Sequence, residues 1–193
     1  MSASKGFVHH PSRGRSTTSV RVSASATYCT HPDALKRRLE AEADRHQRAA
    51  ERAEAQMVAA AGLKWWEGAL PPNMVVVGSS HQLQLLKETS RPILINWFTE
   101  DCYSCRTLHV KLKKIAAENP EILFLKLNGS SEGLKPLFEM FGITKVPYFH
   151  VVLDGRVLSE FSASLNPEKL ALLRKELRAA VRARQEAGVP AVA

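Results

Sequence analysis

Between residues 73 and 180 the chain alternates short apolar runs with segments whose apolar residues recur every three or four positions. Runs of about four to eight apolar residues are typical of buried strands, whereas the longer spacing is typical of a helix that packs one face on a core. The runs predict strands at residues 74–77, 93–98, 122–127, 148–153 and 156–161. The periodic segments predict helices that begin near residues 80, 102, 134 and 167.

Residues that start or stop helices and turns mark the borders of these elements. Ser79 or Ser80 can cap the first helix of the series, and Asn119-Pro120 stops the second. Asp154-Gly155 predicts a two-residue hairpin turn, and Asn166-Pro167 is typical of a helix start. The resulting order, β-α-β-α-β-α-β-β-α, predicts an α/β fold.

A Cys-x-x-Cys motif follows one of the predicted strands. Residues 93–98 lead through a short polar turn into Cys102-Tyr103-Ser104-Cys105, and helix-spaced leucine and isoleucine residues follow. Two cysteines at this spacing at a helix start can close a small disulfide ring. The first one lies by the unpaired N–H groups and the positive end of the helix dipole, which lower the pKa of its thiol. The motif therefore predicts a site that exchanges thiols and disulfides.

The composition of residues 1–32 is typical of an organelle transit peptide. The segment contains seven Ser, four Thr and four basic residues, has no Asp or Glu, and lacks the apolar stretch of a secretory signal. Together with the family resemblance given below, this composition leads us to expect a chloroplast protein, in the stroma or associated with thylakoids. The alternatives are a mitochondrial location and a plain disordered tail. Cys29 lies in or just after this segment; it is either removed or without a role, or it forms an intermolecular disulfide.

The net charge of +8 does not by itself indicate a nucleic-acid partner. Residues 1–32 contribute +4 of it, whereas residues 33–67 carry seven basic and seven acidic residues. Nucleic-acid binding requires a basic patch on the folded domain, so we expect no such partner. No run approaches the roughly 20 apolar residues that span a bilayer, and we expect no membrane span. A count of three cysteines is not typical of a disulfide-rich secreted protein.

Residues 33–72 predict an Ala/Glu/Arg-rich helical extension followed by a Trp-Trp linker. Helix propensity is high because no Gly or Pro interrupts residues 33–61, but the apolar positions are mostly alanine and form no continuous stripe. We expect a solvated helix or a partly ordered linker, with a partner-binding helix as the alternative. Trp65 and Trp66 either pack against the domain or expose a docking surface.

With Cys-x-x-Cys opening the second helix and Val146-Pro147 before the fourth strand, residues 73–180 resemble the thioredoxin family. Lys64-Trp65-Trp66-Glu67, Pro72-Asn73-Met74 and Phe149-His150 are similar to the atypical cysteine/histidine-rich thioredoxins of plastids. The resemblance implies a thioredoxin-like fold with a central mixed β-sheet flanked by helices. The helical extension precedes this domain, and residues 181–193 follow it as a C-terminal tail.

The resemblance also implies a reaction and the residues that carry it. Cys102 takes the position of the attacking nucleophile and Cys105 that of the resolving thiol, and the two form the redox disulfide. Pro147 takes the position of the family's cis-proline, and Val146 before it presents its backbone to an extended substrate segment. The expected substrate contacts are Val146, Pro147, Asp101 and Tyr103. The implied function is a thiol–disulfide oxidoreductase that acts on protein disulfides in chloroplast redox regulation.

No cofactor is expected, because the dithiol itself carries the electrons. The implied targets are disulfide-containing plastid proteins, such as a peroxiredoxin or light-regulated metabolic enzymes. The implied electron donor is an upstream reductase or thioredoxin. We expect a monomer.

The sequence departs from the family pattern in three ways. Asp101 stands where the family has a tryptophan before the first cysteine, and its carboxylate disfavours the Cys102 thiolate. Tyr103-Ser104 replaces the usual Gly-Pro between the cysteines, and Asn96 aligns with a buried acid that manages the proton of the second thiol. We therefore expect slower and less reducing chemistry than that of ordinary thioredoxin.

Other interpretations of the same residues stay open at the level of the sequence. Cys102, Cys105 and His109, with His150 recruited from a strand, could bind zinc, although a structural zinc site usually has four clear ligands and we expect no metal. The domain could instead be a weakly redox-active module that binds partners. The helix face with Lys111, Lys113 and Lys114 is expected to be solvated, or to steer acidic targets to the dithiol.

Overall fold

The computed structural model describes residues 32–188. The predicted transit peptide up to residue 31, Cys29, and residues 189–193 of the predicted tail lie outside the described residues. The helices are α1 (Pro32–Ala60), α2 (Ser80–Lys87), α3 (Tyr103–Glu118), α4 (Lys135–Met140) and α5 (Pro167–Glu186). The strands are β1 (Met74–Val77), β2 (Ile93–Phe98), β3 (Leu123–Asn128), β4 (Tyr148–Leu153) and β5 (Arg156–Ser162). The predicted order of elements and the α/β fold are confirmed.

The five strands form one mixed sheet in the order β1-β3-β2-β4-β5. β3 pairs in parallel with both β1 and β2, whereas β4 runs antiparallel to β2 and to β5. The strand that precedes the Cys-x-x-Cys motif is therefore the central one. Both of its faces are covered, which explains why all six of its residues are buried and its sequence is almost continuously apolar.

Each face of the sheet packs against its own pair of helices. Leu94 and Phe124 face the apolar sides of α3 and α5, including Leu112 and Leu177. Ile95, Trp97 and Leu125 face the other way, where Leu83 of α2 and Phe138 of α4 cover them. Successive residues of a strand point to opposite faces, so Asn96, between Ile95 and Trp97, shares the face of α3.

The helix caps and the tight turn predicted from the sequence are present at the borders of the elements. The Ser79 hydroxyl accepts from the backbone N–H of Gln82, and the Asn166 side chain accepts from that of Glu168. Asp154 and Gly155 have φ values of 49° and 74°, as the hairpin turn between β4 and β5 requires. α5 continues to Glu186, past the predicted start of the C-terminal tail at residue 181.

Within the described residues, those up to Asp44 and those from Arg45 onward belong to separate units. In the first unit the described residues belong to α1, where Leu35 and Leu39 are each 58% exposed. In the second unit, Val58 of α1 approaches Gly68 so closely that a Cβ at position 68 would lie 2.7 Å from its methyl carbon. No helix between residues 32 and 188 combines the length and apolar character that crossing a lipid bilayer requires.

Candidate active site

Cys102 and Cys105 are joined by a disulfide with an S–S distance of 2.09 Å at the N-terminus of α3. Cys102 is the N-cap residue, and its Sγ accepts a 3.1 Å hydrogen bond from the backbone N–H of Cys105. That N–H is one of the orphan donors at a helix start, and it stabilises negative charge on the sulfur. Cys105 is only 4% exposed, while Cys102 is half-buried. Of the two sulfurs, that of Cys102 is the more accessible to a large partner.

The residues predicted to contact substrate differ in their exposure: Val146 is packed with the disulfide, whereas Asp101 and Tyr103 are exposed. Val146 packs with Cys102 and Cys105 in one apolar cluster, and the Val146–Pro147 peptide bond is cis. Tyr103 is 79% exposed, and Asp101 is exposed as well. The disulfide therefore lies at the edge of an apolar patch with a polar and an aromatic side chain beside it.

The Trp-Trp segment packs against the back of this site. Trp66 is 4% exposed and clusters with Phe98 and Cys105. The Trp65 ring contacts those of Phe98 and His109, with centroid distances of 5.1 and 5.5 Å. The sequence allowed two interpretations of these tryptophans, packing against the domain or an exposed docking surface, and the structure shows packing.

A second contact connects the Trp-Trp segment to the turn before Cys102. The indole N–H of Trp65 donates to the backbone carbonyl of Glu100 at 3.1 Å. The Lys64 ammonium lies 2.6 Å from the Glu100 carboxylate, and this contact raises the pKa of Lys64. Both partners of this ion pair are substantially exposed, so the indole hydrogen bond and ring packing provide most of the anchoring.

A lysine and a histidine are buried together behind the disulfide. Lys126 of β3 is 1% exposed and His109 of α3 is 6% exposed, and the Lys126 Nζ lies 2.7 Å from the His109 Nδ1. Burial and the nearby Lys113 ammonium lower the pKa of Lys126 to about 6. Burial, followed by Lys126 and then Lys113, lowers the pKa of His109 to about 2. Both groups are therefore largely neutral above pH 7.

Asn96 is the neighbour of Lys126 across the sheet. The two residues are register partners of β2 and β3, and their side chains share the face of α3. Within residues 32–188, no carboxylate forms an ion pair with Lys126. Its Nζ instead lies 4.9 Å from the Trp65 ring centroid and 5.0 Å from that of Phe98. The faces of these two rings attract a cation, so they stabilise the protonated form of Lys126.

The proposed zinc ligands are not brought together. Cys102, Cys105 and His109 do not form a cluster of possible metal ligands within the described part of the chain. His109 faces inward to Lys126. His150 lies on the opposite face of the sheet, where its ring contacts those of Trp97 and Tyr148.

The expectation that Lys113 lies on a solvated helix face was wrong. Its side chain is 15% exposed and forms an ion pair with Glu54 of α1. Lys111 is half-exposed and Lys114 is exposed, as expected. The Glu54–Lys113 pair and the close approach of Val58 to Gly68 attach the second half of α1 to the domain.

Sequence reasoning did not identify Lys126 as part of the site. A sequence signal for its burial was present. Lys126 interrupts the otherwise apolar run of residues 122–127, and because side chains alternate along a strand it shares a face with the apolar residues two and four positions before it. At the level of the sequence, His109 is a candidate only for the alternative zinc site. Its partner, Lys126, comes from β3, and that pairing depends on the tertiary structure.

The comparisons with known proteins agree with this geometry. The family model described as thioredoxin matches residues 73–176. The rice (Oryza sativa subsp. japonica) protein named thioredoxin-like 2, chloroplastic, is 38% identical over 106 residues, which are 53% of this chain and 48% of that protein. Thioredoxin-like 2-2, chloroplastic, of Arabidopsis thaliana is 36% identical over 113 residues, 56% of this chain and 46% of that protein. The chain thus spans about half the length of these relatives.

Solved structures show the same fold. Thioredoxin from Trypanosoma brucei brucei superposes with a TM-score of 0.51 at 22% identity, covering 57% of this chain and 93% of that one. Thioredoxin f from spinach chloroplast, in its short form, superposes with a TM-score of 0.50 at 26% identity, covering 58% of this chain and 96% of that one. The predicted thioredoxin-like fold is confirmed.

Proposed function

The chain belongs to the thioredoxin family, and from this we propose that it is a thiol–disulfide oxidoreductase that acts on protein disulfides through Cys102 and Cys105. The observation that carries the proposal is the pair itself. An accessible sulfur at a helix N-cap is joined to a buried sulfur one turn into the helix. The helix N-terminus stabilises a thiolate on the accessible residue, which is the form that attacks disulfides.

The reaction proceeds by two exchanges. The Cys102 thiolate attacks one sulfur of a target disulfide, and the other target sulfur leaves as a thiolate. Cys105 then attacks the Cys102 sulfur of this mixed disulfide, so that the target is released with both of its cysteines reduced and the Cys102–Cys105 disulfide forms. Each cycle moves two electrons from the dithiol to the target, and the reverse steps oxidise a dithiol.

The proposed binding surface for the target is the patch around Cys102. Val146 packs against the same cluster as the two cysteines, so a segment attached to Cys102 passes its backbone. Pro147 follows Val146, and the exposed residues Tyr103 and Asp101 are the chain neighbours of Cys102. The large exposed fraction of the Tyr103 ring is consistent with a contact that forms only when a target is bound.

We expect this dithiol to be a weaker reductant than that of ordinary thioredoxin. Asp101 directly precedes Cys102 in the chain, where a carboxylate disfavours the thiolate electrostatically, and Asn96 offers no carboxylate to the second thiol. Tyr103-Ser104 lies between the cysteines in place of Gly-Pro. An insulin-reduction rate equal to that of a standard thioredoxin would contradict this expectation.

The names of the relatives and the composition of residues 1–32 support a plastid location. We propose disulfide-containing plastid proteins as targets, an upstream reductase or thioredoxin as electron donor, and a monomeric protein. Import of the full chain into isolated chloroplasts tests the location, and failure of import would remove it.

A redox titration tests the activity. The full chain carrying Cys29→Ser is equilibrated in dithiothreitol and glutathione buffers, and free thiols are counted by alkylation. A two-electron couple that disappears in both Cys102→Ser and Cys105→Ser establishes the dithiol. If no couple appears while Cys102→Ser still captures partner proteins, the domain is a binding module and not an oxidoreductase.

A further inference from the structure

We propose that Trp65 is a positioning residue for the attacking thiol, because its indole N–H fixes the turn that aims Cys102 at the N-terminus of α3. The proposal rests on the proposed function and adds to it a residue outside residues 73–176, the segment that the family model matches. Trp65 acts through Glu100, whose backbone carbonyl it holds, and takes no part in the exchange itself.

Cys102 directly follows a β-turn. The turn begins at Thr99, just after β2, and is closed by a 3.3 Å hydrogen bond from the backbone N–H of Cys102 to the Thr99 carbonyl. Glu100 and Asp101 are its two central residues, so the peptide group between them is the central one. This group can take two orientations, which distinguish type I from type II turns and give Asp101 different φ and ψ values. The orientation of one peptide group therefore affects the aim of the Cys102 sulfur.

Side chains from two distant segments hold the backbone of Glu100 at both ends. The indole N–H of Trp65 donates at 3.1 Å to the Glu100 carbonyl, which is the oxygen of the central peptide group. The backbone N–H of Glu100 donates at 3.1 Å to the hydroxyl of Ser130, in the loop after β3. Asp101 does not have the positive φ that a type II turn requires. The Trp65 hydrogen bond thus stabilises the orientation that the turn has taken.

Ring contacts make the Trp65 indole a rigid donor. Its ring packs edge-on against those of Trp66, Phe98 and His109, with centroid distances of 5.1, 5.1 and 5.5 Å. All three of these partners are buried. Phe98 is the last residue of β2 and His109 belongs to α3, so the same ring contacts both elements that the turn connects. The indole can therefore hold the turn in a fixed place relative to the start of the helix.

The place of the Cys102 sulfur matters because the helix N-terminus stabilises its thiolate. Cys102 is the N-cap of α3, and its Sγ accepts a 3.1 Å hydrogen bond from the backbone N–H of Cys105. This donor and the helix dipole lower the pKa of the thiol only while the sulfur stays close, since the effect of the dipole falls off within the first turn. If the central peptide group rotates, the sulfur leaves this place, the pKa of its thiol rises, and its attack slows.

The pH dependence of Cys102 alkylation tests the proposal. The reduced full chain with Cys29→Ser and Cys105→Ser, which keeps the backbone N–H at position 105, reacts with iodoacetamide as the Cys102 thiolate displaces iodide. We expect Trp65→Phe, which keeps an aromatic ring without the donor, to raise the pH midpoint toward about 8.5, the value of an unassisted thiol. Each unit of this rise lowers the thiolate fraction tenfold below the pKa, so alkylation at neutral pH should slow about tenfold. An unchanged midpoint would overturn the proposal.

Trp97→Phe is the matched control. It is the same substitution on the opposite face of the sheet, in an indole whose N–H has no hydrogen-bond partner within residues 32–188. We expect it to lower stability and to leave the Cys102 midpoint unchanged. An equal shift of the midpoint would overturn the proposal, because it would show that any loosening of the core moves the thiol.

The substitutions change no charge, so electrostatics alone does not explain a shift of the midpoint in Trp65→Phe. The turn, the Trp-Trp segment, the first turn of α3 and the loop before β4 keep all of their charged groups in every variant. These groups are Lys64, Glu67, Glu100, Asp101, Arg106 and Lys145. A shift in Trp65→Phe therefore reports the position of the sulfur.

An isosteric replacement protects the test against misfolding. Benzothienylalanine at position 65 has sulfur in place of the indole N–H and keeps the size and the ring contacts of tryptophan. Its midpoint should rise as in Trp65→Phe, and a midpoint equal to that of the parent overturns the proposal. The redox titration of the dithiol tests the proposed function separately. If the two-electron couple is missing, the proposed function fails; if the couple is present and loss of the donor leaves the midpoint unchanged, only this inference fails.

Discussion

The indole N–H of Trp65 donates a hydrogen bond to the backbone carbonyl of Glu100, a residue 35 positions later and in the turn that precedes Cys102. Because the same ring contacts Phe98 and His109, one side chain from the N-terminal extension connects the turn, the central strand and α3. The Trp-Trp linker is thus part of the wall of the proposed active site.

Trp65→Ala should destabilise the protein by about 3 kcal/mol, the lower end for loss of a large aromatic side chain, because Trp65 is only half-buried. The measurement is urea unfolding of the oxidised protein. Met57→Ala serves as the control, since Met57 is 73% exposed, and it should change stability by less than about 0.5 kcal/mol. Equal effects of the two substitutions would show that the Trp65 contacts carry no stability.

Burial of Lys126 should make stability increase with pH. Between pH 6 and 10.5 the unfolded chain binds the Lys126 proton and the folded protein does not, so the free energy of unfolding rises with pH in this window. The slope is at most about 1.4 kcal/mol per pH unit. The wild type should gain stability relative to Lys126→Met between pH 6.5 and 8.5 in urea unfolding of the oxidised proteins. Parallel curves would show that the amine stays charged when folded.

Asn73→Ala should cost about 2 to 3 kcal/mol, because the two N–H donors of the buried Asn73 amide are shared among three backbone carbonyls that would lose their partner. These carbonyls belong to Ala116, Asn119 and Ile122, each at 2.9 Å. For comparison, Asn166→Ala removes an exposed helix cap and should cost about 1 kcal/mol. Thermal and urea unfolding of both variants test the order; the reverse order would rule out the buried amide as the stronger contact.

Cys105→Ser should accumulate a stable mixed disulfide with a target, because the first exchange proceeds and the second cannot. Cys102→Ser should accumulate much less, since the remaining thiol is buried. Non-reducing gel electrophoresis of each variant, with Cys29→Ser in both, measures the adduct. If Cys102→Ser forms the adduct as fast as Cys105→Ser, the assignment of the attacking thiol is reversed.

If Lys111 and Lys114 steer acidic targets, reduction of such a target should slow as salt is added, since screening shortens the range of the attraction. The Lys111→Gln/Lys114→Gln variant should be slower than the wild type at low salt and equal to it at high salt. Lys113→Gln is not a suitable steering variant, because Lys113 pairs with Glu54. An unchanged rate in the double variant at low salt would exclude steering by this face.

Local sequence signals were sufficient for the elements and for the dithiol. The apolar run of β2, the caps at Ser79 and Asn166, and the Asp154-Gly155 turn each act within a few residues, so their positions could be predicted closely. The surroundings of the dithiol depend on contacts between residues far apart in the chain. Lys126 meets His109 only after β3 and α3 pack together, and Lys113 meets Glu54 only through α1, so charge patterns along the sequence could not reveal either pair.

The packing around Gly68 shows that the folded domain begins earlier in the chain than the family match does. The family model begins at residue 73, yet the Val58 methyl group occupies the space that a Cβ at position 68 would need. A fragment cut at the family border would lose the tryptophans and expose Phe98 and Lys126 to water. The smallest unit suited to biochemical work therefore begins before Glu54, because the segment that the family model leaves out packs against the domain.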